Sequence, residues 1–541
     1  MSLQSKYIDK QVSERSMKME LNYYGYYEYI GESKLYTAVM MPYKGGKFPV
    51  VIKRSPYVSA TASLDDEKVL LSYINDNEKW LKRGYAVVMQ HCRGRGKSGG
   101  DCIPFVNERE DSLYLYDYAR KCDFYNGEIY LWGGSYCCEV HYLASPYPDD
   151  IKGAVFRVKD TERYNFAYRN GFFKKGLMGD WYVTELFGTK EHKEKNYTKK
   201  SFDILPLSDF SKTVYGKSAD KFDEMLKHPD KNDEYWNTAD GGVHIKDAIK
   251  NVKFPVLLET SLYDIFEGGV FDTWNGMEDE TKNKSAFLVS AFDHPDNSLS
   301  SPIPFPCGAR NQKFGADYDV DWFDYIRGKR AVPFELGKVT YYNLFLNKWK
   351  TDDFYTSKSV KKIPLGDKEV TYTYNPYDAP EFSGGLSTNF GGVTFLEKPN
   401  SRYDVISLYT DEFEEDTLVK GKMKGKLTVS SDCPDTCFYM LLSIEKHNGD
   451  FGLRDDITSL CYQLGDYKEN SKVSLDFNFD EHAFLVRRGE RLRIDISSAN
   501  NNNYVRHTNN KGLFSEQKTA RVARNTVYLG ESYIELPTDI L

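Results

Sequence analysis

The chain lacks long apolar runs and an excess of basic residues. No run approaches the ~18 apolar residues that span a bilayer. Lys and Arg number 72 against 80 Asp and Glu, so the net charge is −8. Binding to phosphates would require a concentrated basic surface. We therefore expect neither a membrane nor a nucleic acid as a partner.

Cysteine is scarce, and its nine residues form an odd, scattered set. The opening residues 1–6 lead into charged sequence without the apolar segment of a secretory signal. We therefore expect reduced thiols and a cytoplasmic protein. Cys433 and Cys437 are not followed by a second cysteine pair. No metal site and no cofactor are predicted.

The composition is that of a large globular protein. Hydrophobic residues make up 40% and aromatic residues 15% of the 541 positions, which predicts substantial cores in two or three domains. Apolar strands alternate with helices at 66–83 and 108–121, a pattern that indicates a parallel sheet with helices on both faces.

This alternation is interrupted once and then ends. A stretch rich in Lys, Phe and Tyr has helical segments at 163–173, 180–187 and 219–228. Near 339 the period becomes 2, with a first strand at 340–346, which indicates an antiparallel sandwich. We predict an α/β domain over 1–148 and 253–338, a helical cap over 149–252, and a β-sandwich over 339–541.

A serine stands where an apolar strand turns into a helix. The strand ends in Gly133-Gly134-Ser135, and a segment able to be helical follows. This is the architecture of a nucleophile elbow, although Cys137 replaces the last glycine of G-x-S-x-G. An ordinary strand-to-helix turn is the alternative. The literal match around Ser98 is rejected because its strand has already ended and no helix follows.

Two later strands each end beside a candidate catalytic side chain. Asp264 follows the strand at 254–260, and His294 follows the strand at 285–290. With Ser135 they give the order Ser, Asp, His, which is that of α/β-hydrolases. Asp293 is the rival acid, but next to His294 its side chain would project elsewhere.

The run Arg93-Gly94-Arg95-Gly96-Lys97 invites a phosphate-loop interpretation. That motif needs a glycine where His91 stands, so nucleotide binding is rejected. We expect instead a loop held by arginine–carboxylate pairs with Glu108, Glu110 or Asp111.

Several motifs in order together resemble one known family. They are Arg54-Ser55-Pro56-Tyr57, the run 93–98, the segment 107–111, Trp132-Gly133-Gly134-Ser135-Tyr136, then Asp264, His294, the segment 430–436 and Tyr533-Ile534-Glu535-Leu536-Pro537. This set resembles the CocE/NonD hydrolases, the family of cocaine esterase-like and X-prolyl dipeptidyl-peptidase enzymes.

The resemblance implies an α/β-hydrolase domain, a helical cap and a C-terminal jelly roll that meet at the active site. It implies catalysis by Ser135, His294 and Asp264. The Tyr57 hydroxyl and the Tyr136 amide would form the oxyanion hole. The chain departs from the family pattern in two places. Cys137 and Cys138 stand where glycine is usual, and His91 and Cys92 replace a usual Asp.

The predicted function is a serine hydrolase that cleaves ester or amide bonds of small acyl substrates. One alternative is an X-prolyl dipeptidyl-peptidase or α-amino-acid ester hydrolase, which would need carboxylates to hold the substrate ammonium. The start of the chain, close to its first hydrolase strand, favours the esterase. Cys137 motivates a second alternative, an inactive hydrolase fold that binds a ligand. A homo-oligomer is left open.

Overall fold

A computed structural model provides the structure of the chain. It describes residues 21–186, 199–238, 245–294, 307–332, 334–386, 395–396, 402–447 and 449–541. Residues 1–6, from which the cytoplasmic location is predicted, lie outside these ranges.

A ten-stranded sheet forms the centre of the first part of the chain, in the order β1-β2-β4-β3-β5-β6-β9-β10-β11-β12. The strands are β1 Asn22–Ile30, β2 Ser33–Met41, β3 Phe48–Ser55, β4 Ala86–His91, β5 Tyr125–Gly134, β6 Ile151–Arg157, β7 Tyr168–Arg169, β8 Phe172–Phe173, β9 Val256–Tyr263, β10 Ala286–Asp293, β11 Val339–Asn343 and β12 Lys348–Asp352. Strands β3, β5, β6, β9 and β10 are mutually parallel neighbours. Their carboxyl ends therefore lie along one edge of the sheet.

The α-helices are α1 Asp66–Lys82, α2 Glu108–Lys121, α3 Tyr136–Leu143, α4 Arg163–Ala167, α5 Phe210–Tyr215, α6 Asp220–Met225, α7 Tyr235–Thr238, α8 Glu267–Asn275, α9 Asp279–Lys282, α10 Tyr318–Ile326 and α11 Leu460–Leu464. Helix α1 begins where the Asp65 carboxylate accepts a hydrogen bond from the Lys68 amide. Its buried face packs against the sheet through Val69, Ile74 and Trp80. The helices predicted at 66–83 and 108–121 are thereby confirmed.

Two segments of the central sheet lie elsewhere in the division predicted from the sequence. Residues 151–157 were assigned to the cap, but β6 lies in the central sheet between β5 and β9. The strand at 340–346 was assigned to the sandwich, but β11 pairs in parallel with β10. Both strands are buried along most of their length. Their sequences therefore lack the alternation of polar and apolar residues that would indicate which sheet each strand joins. The division into three domains stays a prediction.

The region between β6 and β9 is built from short, irregular elements. The segments predicted as helices at 163–173 and 219–228 contain only α4 and α6, and β7 and β8 form a small hairpin. Two π-helical segments lie at Lys175–Gly179 and Tyr182–Leu186. The predicted helix at 180–187 runs partly beyond the described residues. Short 3₁₀ turns lie at Ser59–Thr61, Lys199–Asp203, Leu207–Asp209, Ile245–Asn251, Cys307–Ala309, Asn311–Phe314, Pro376–Asp378, Phe514–Glu516 and Leu529–Glu531.

The C-terminal part forms two antiparallel sheets, as the alternating pattern predicts. The strands are β13 Ser359–Pro364, β14 Glu369–Tyr374, β15 Phe395–Leu396, β16 Ile406–Tyr409, β17 Thr417–Ser431, β18 Cys437–Lys446, β19 Gly449–Ser459, β20 Val473–Val486, β21 Leu492–Ser497, β22 Ala523–Tyr528 and β23 Tyr533–Ile540. One sheet has the order β13-β23-β17-β22-β14 with β20 on β17, and the other has β15-β19-β18-β21-β16. The predicted α/β-hydrolase fold with a C-terminal β-sandwich is therefore confirmed.

The sandwich is docked directly against the end of β9. The Tyr263 hydroxyl donates to the Gly452 carbonyl at 2.8 Å. Just beyond, Arg454 of β19 lies 3.4 Å from the Glu267 carboxylate at the start of α8. Both side chains are fully buried. The sandwich thereby contacts both flanks of the segment that contains Asp264.

Candidate active site

Ser135 occupies a sharp corner between β5 and α3. Its φ of 56° and ψ of −131° are rare for a residue with a side chain. The backbone holds this conformation from both sides: the Ser135 amide donates to the Arg157 carbonyl at 3.0 Å, and its carbonyl accepts from the amides of Cys138 and Glu139. Such strain persists only where the surrounding structure enforces it. The side chain is partly exposed.

The glycine that this corner requires is Gly133. A Cβ there would lie 1.9 Å from the Cys137 carbonyl oxygen. Cys137, at the position of the usual last glycine, has room for its side chain, and its thiol hydrogen-bonds with the Ser55 hydroxyl. Burial raises the pKa of Cys137 to about 11. The cysteine is therefore a neutral thiol at physiological pH and does not prevent formation of the elbow.

His294 and Asp264 lie together beyond β10 and β9. The His294 Nδ1 is 2.8 Å from Asp264 Oδ2, and both side chains are buried. The second carboxylate oxygen, Oδ1, accepts from the Phe266 amide at 2.7 Å. An ionised carboxylate only accepts hydrogen bonds, so Nδ1 carries the proton and Nε2 is the basic nitrogen. Asp264, rather than Asp293, contacts the imidazole through Nδ1.

Tyr57 follows β3, the strand next to β5. Its amide donates to the Ser55 hydroxyl at 3.1 Å, and its own hydroxyl accepts from Trp181 Nε1 at 3.3 Å. Burial of the hydroxyl end and then the Cys137 thiol raise the pKa of Tyr57, while hydrogen bonds with Ser135 and Trp181 offset part of the rise. The phenol therefore keeps its proton and can act as a hydrogen-bond donor beside Ser135.

Tyr136 is the first residue of α3, and an amide at that position has no intrahelical acceptor. Its side chain anchors it: the hydroxyl donates to Glu108 Oε1 at 2.8 Å and accepts from the Phe105 amide at 2.9 Å. The same Glu108 pairs with the buried Arg54 at 2.6 Å. One ion pair therefore holds both the Tyr57 loop and the start of α3.

The importance of Arg54 was not predicted from the sequence. Its guanidinium also lies 3.2 Å from Asp111 and donates to Gln90 at 2.9 Å. The predicted carboxylate pairs of the 93–97 loop are present as well, since Arg93 binds Asp111 and Glu110. The signal for Arg54 was its position three residues before Tyr57.

His91, which replaces the usual Asp, has a structural role. Its Nδ1 accepts from the Lys97 amide at 3.1 Å, and its Nε2 lies 2.6 Å from the Tyr73 hydroxyl. Burial lowers the pKa of His91 to about 4, so the ring is neutral. Ser98 likewise bonds to the His91 carbonyl and to the Tyr36 amide. The rejection of Ser98 as a nucleophile fits these contacts.

A cavity of about 60 Å³ lies beside α3, which contributes Glu139 to its wall. Its wall is largely aromatic or apolar and includes Phe105, Phe166, Met178, Tyr182, Met225 and Trp236. Phe105 stacks on the Tyr136 ring at 4.7 Å. Glu139, also in the wall, is ion-paired with Lys159 at 3.3 Å and with Arg163 at 3.2 Å. The charges in this wall therefore neutralise one another in part.

Within the described ranges, no cluster of three or more His, Cys, Asp or Glu side chains is arranged to hold a metal ion. The cysteine side chains described there are free thiols. None of the helices formed by these residues has the length and apolarity needed to cross a membrane.

Comparisons with known proteins cover most of the chain. A family model described as X-Pro dipeptidyl-peptidase (S15 family) matches residues 31–294. A second model, the X-Pro dipeptidyl-peptidase C-terminal non-catalytic domain, matches residues 336–535. The chain is also 22% identical to the cocaine esterase of Rhodococcus sp. (strain MB1 Bresler), over 93% of this chain and 96% of that protein.

Solved structures share the fold. An aminopeptidase from a marine sediment archaeon, Thaumarchaeota archaeon, matches with a TM-score of 0.78 at 16% identity, over 96% of both chains. An α-amino acid ester hydrolase matches with a TM-score of 0.78 at 17% identity, over 96% of this chain and 97% of that one. A CocE/NonD family hydrolase from Staphylococcus aureus matches with a TM-score of 0.63 at 15% identity, over 96% and 94%.

Proposed function

We propose, from the premise that the chain belongs to the CocE/NonD serine hydrolases, that it cleaves esters of small neutral acids through Ser135, His294 and Asp264. One observation carries the proposal: a buried His294–Asp264 pair, 2.8 Å apart, follows two strands of the parallel sheet whose strand β5 ends at the strained Ser135. The order and chemistry are those of a nucleophile, a base and an orienting acid.

In the first step His294 Nε2 takes the Ser135 proton as the hydroxyl oxygen attacks the ester carbonyl. Asp264 holds the imidazole with Nδ1 protonated and stabilises the positive charge that forms. The alcohol leaves with a proton from His294, and the acyl group stays on Ser135. Water then attacks with His294 as base and releases the acid.

Negative charge develops on the former carbonyl oxygen in both steps. The Tyr57 hydroxyl and the Tyr136 amide would donate to that oxygen. Both side chains are held in place, since Glu108 accepts a hydrogen bond from the Tyr136 hydroxyl and Trp181 donates one to the Tyr57 hydroxyl. The donors are therefore ordered before the substrate arrives.

Glu139, Asp160 and Glu267 each face a cationic side chain already, which favours a substrate with an uncharged acyl group. Glu139 is paired with Lys159 and Arg163, and Asp160 is 2.9 Å from Lys159. Glu267, three residues after Asp264, faces Arg454, and burial raises its pKa far above the ordinary value. A substrate ammonium would need an uncompensated carboxylate. An ester with an uncharged acyl group meets no such requirement.

Replacement of the nucleophile tests the proposal. Ser135→Ala should fold normally and lower turnover of a 4-nitrophenyl acyl ester by about 10⁴–10⁶. A fluorophosphonate probe should label the unmodified chain and not the variant. Retained turnover in clean variant protein would refute the assignment. Failure of the unmodified chain to react with the probe would favour the inactive binding protein.

A substrate panel separates ester from peptide chemistry. We expect higher kcat/KM for 4-nitrophenyl esters of uncharged acids than for esters of α-amino acids or for X-Pro amides. Preference for X-Pro amides would favour the dipeptidyl-peptidase activity after which the matching family model is named.

A further inference from the structure

Trp181 brings the irregular cap region into direct contact with the candidate oxyanion hole. It lies between the two π-helical segments and is only 7% exposed. Its indole Nε1 donates to the Tyr57 hydroxyl oxygen at 3.3 Å. A hydrogen-bond donor of the cap is thus directed at a side chain of the hydrolase region.

The indole is held in place by two further rings. It stacks on Tyr136, with ring centroids 6.2 Å apart and planes at 24°. Phe166 packs against it edge-on at 5.4 Å. Trp181 therefore contacts both residues that supply the proposed oxyanion donors, one by a hydrogen bond and one by stacking.

We propose that Trp181 is a positioning residue for the oxyanion hole and that it sets the direction of the Tyr57 proton. The inference rests on the proposed hydrolase function. A phenol oxygen has one proton and accepts through its lone pairs. When the indole N–H occupies the acceptor side, the Tyr57 proton is left free to point at Ser135 and at the oxyanion formed there. Acceptance of one hydrogen bond also strengthens the donation of the next.

This role makes a particular kinetic prediction. The Tyr57 proton interacts with the oxyanion mainly in the transition state, so loss of the indole N–H should lower kcat and leave KM nearly unchanged. A neutral hydrogen bond contributes modestly, so we expect a fall of about 2- to 10-fold in Trp181→Phe. A residue that only shaped the surface to which the substrate binds would instead change KM.

The matched control is Trp349→Phe. Trp349 lies on β12, and its indole N–H donates to the Gly308 carbonyl at 2.6 Å, away from β3 and β5 in the strand order. It also loses an indole donor, but kcat and KM for the same ester should not change. An equal fall in both variants would overturn the proposal.

A double-mutant cycle with Tyr57→Phe isolates the mechanism. If Trp181 acts through the Tyr57 hydroxyl, Trp181→Phe should change kcat by less than about 2-fold in the Tyr57→Phe background. An undiminished loss in that background would overturn the inference, as would an unaltered kcat in the single variant. If Trp181→Phe fails to fold, 3-benzothienylalanine at position 181 keeps the ring size without the N–H, and the same results are expected.

Fluorophosphonate labelling of Ser135 separates the two possible failures. Labelled, active protein in which the two substitutions act independently would defeat only the role of Trp181. Unlabelled protein whose turnover does not depend on Ser135 would defeat the proposed function and this inference together.

Discussion

The two sides of the candidate active site are held by different kinds of contact. On the hydrolase side, Arg54 and Glu108 form a buried ion pair at 2.6 Å that fixes the surroundings of Tyr136. On the cap side, Phe166 and Trp181 make ring contacts and one neutral hydrogen bond. Charged hydrogen bonds are directional and strong, whereas ring packing tolerates changes of shape. We expect the hydrolase side to make the larger contribution to the rate of reaction, Trp181 a smaller one, and Phe166 to determine which acyl group fits.

The largest effect should come from substitution of Asp264, the proposed orienting acid. Asp264→Asn removes the charge that holds the His294 tautomer, and kcat should fall by about 10⁴. Steady-state turnover of a 4-nitrophenyl ester measures it. Asp293→Asn, at the last residue of β10 and next to His294 in the chain, should cost much less. A larger fall of kcat in Asp293→Asn than in Asp264→Asn would instead identify Asp293 as the acid that orients His294.

Loss of the buried ion pair should mainly affect stability. Arg54→Met leaves the Glu108 carboxylate buried without its cation, and we expect unfolding free energy to fall by about 3–5 kcal/mol. Urea denaturation followed by circular dichroism measures this change. Arg491→Met, which breaks a half-exposed pair with Glu445, should cost at most about 1 kcal/mol. Equal costs would show that the hydrolase side is no more rigidly held than the surface.

Removal of the Tyr57 hydroxyl, a proposed hydrogen-bond donor to the oxyanion, should have the next largest effect. Tyr57→Phe should lower kcat by about 10²–10³ with little change in KM. Tyr43→Phe, at a tyrosine that is 53% exposed, serves as the control and should behave as the unmodified chain. A change confined to KM would mean that Tyr57 binds substrate without stabilising the transition state.

Substitution of Phe166 on the cap side should alter the preference between acyl groups more than the rate of reaction. Phe166→Ala enlarges the cavity, and the ratio of kcat/KM for a bulky acyl ester to that for acetate should rise by about 10-fold. The rate of fluorophosphonate labelling should change little. A fall in labelling comparable to that in Tyr57→Phe would contradict the division of roles between the two sides.

The smallest effect should be at Cys137. Cys137→Ala should keep kcat within about 2-fold, because the neutral thiol fills space and contributes a weak hydrogen bond with Ser55. Its raised pKa of about 11 means that the reactive thiolate forms only as pH rises toward that value. Inactivation by iodoacetamide should therefore be slow at pH 7 and faster at pH 10. Rapid inactivation at pH 7 would identify Cys137 as a reactive thiol.

The fold could be predicted where local and global signals agree. Helices α1 and α2 have acidic first turns, basic last turns and a buried stripe, so their bounds followed from the sequence. Strands β6 and β11 could not be assigned, because a short apolar run does not reveal which sheet buries it. The pairing of β6 with β5 and of β11 with β10 depends on residues that are distant in the chain.

The candidate site shows the same limit. Ser135, Asp264 and His294 follow recognisable strands, so their positions at one sheet edge could be predicted. Tyr57 was identified through the family resemblance, because a position after a strand does not distinguish it among the 42 tyrosines of the chain. Trp181 lies in an irregular segment, and nothing in its neighbouring residues indicates a contact with Tyr57. These catalytic roles stay predictions until the variants are measured.

The contact between Arg454 and Glu267 limits how the chain can be recombined with its relatives. The segment with Asp264 is flanked by Tyr263 and Glu267, and both are bonded to β19 of the sandwich. A chimera that joins this hydrolase region to a foreign C-terminal domain would therefore have to reproduce an arginine and a carbonyl at those two places. Without them, the Glu267 carboxyl group would lose its contact with Arg454 within four residues of Asp264.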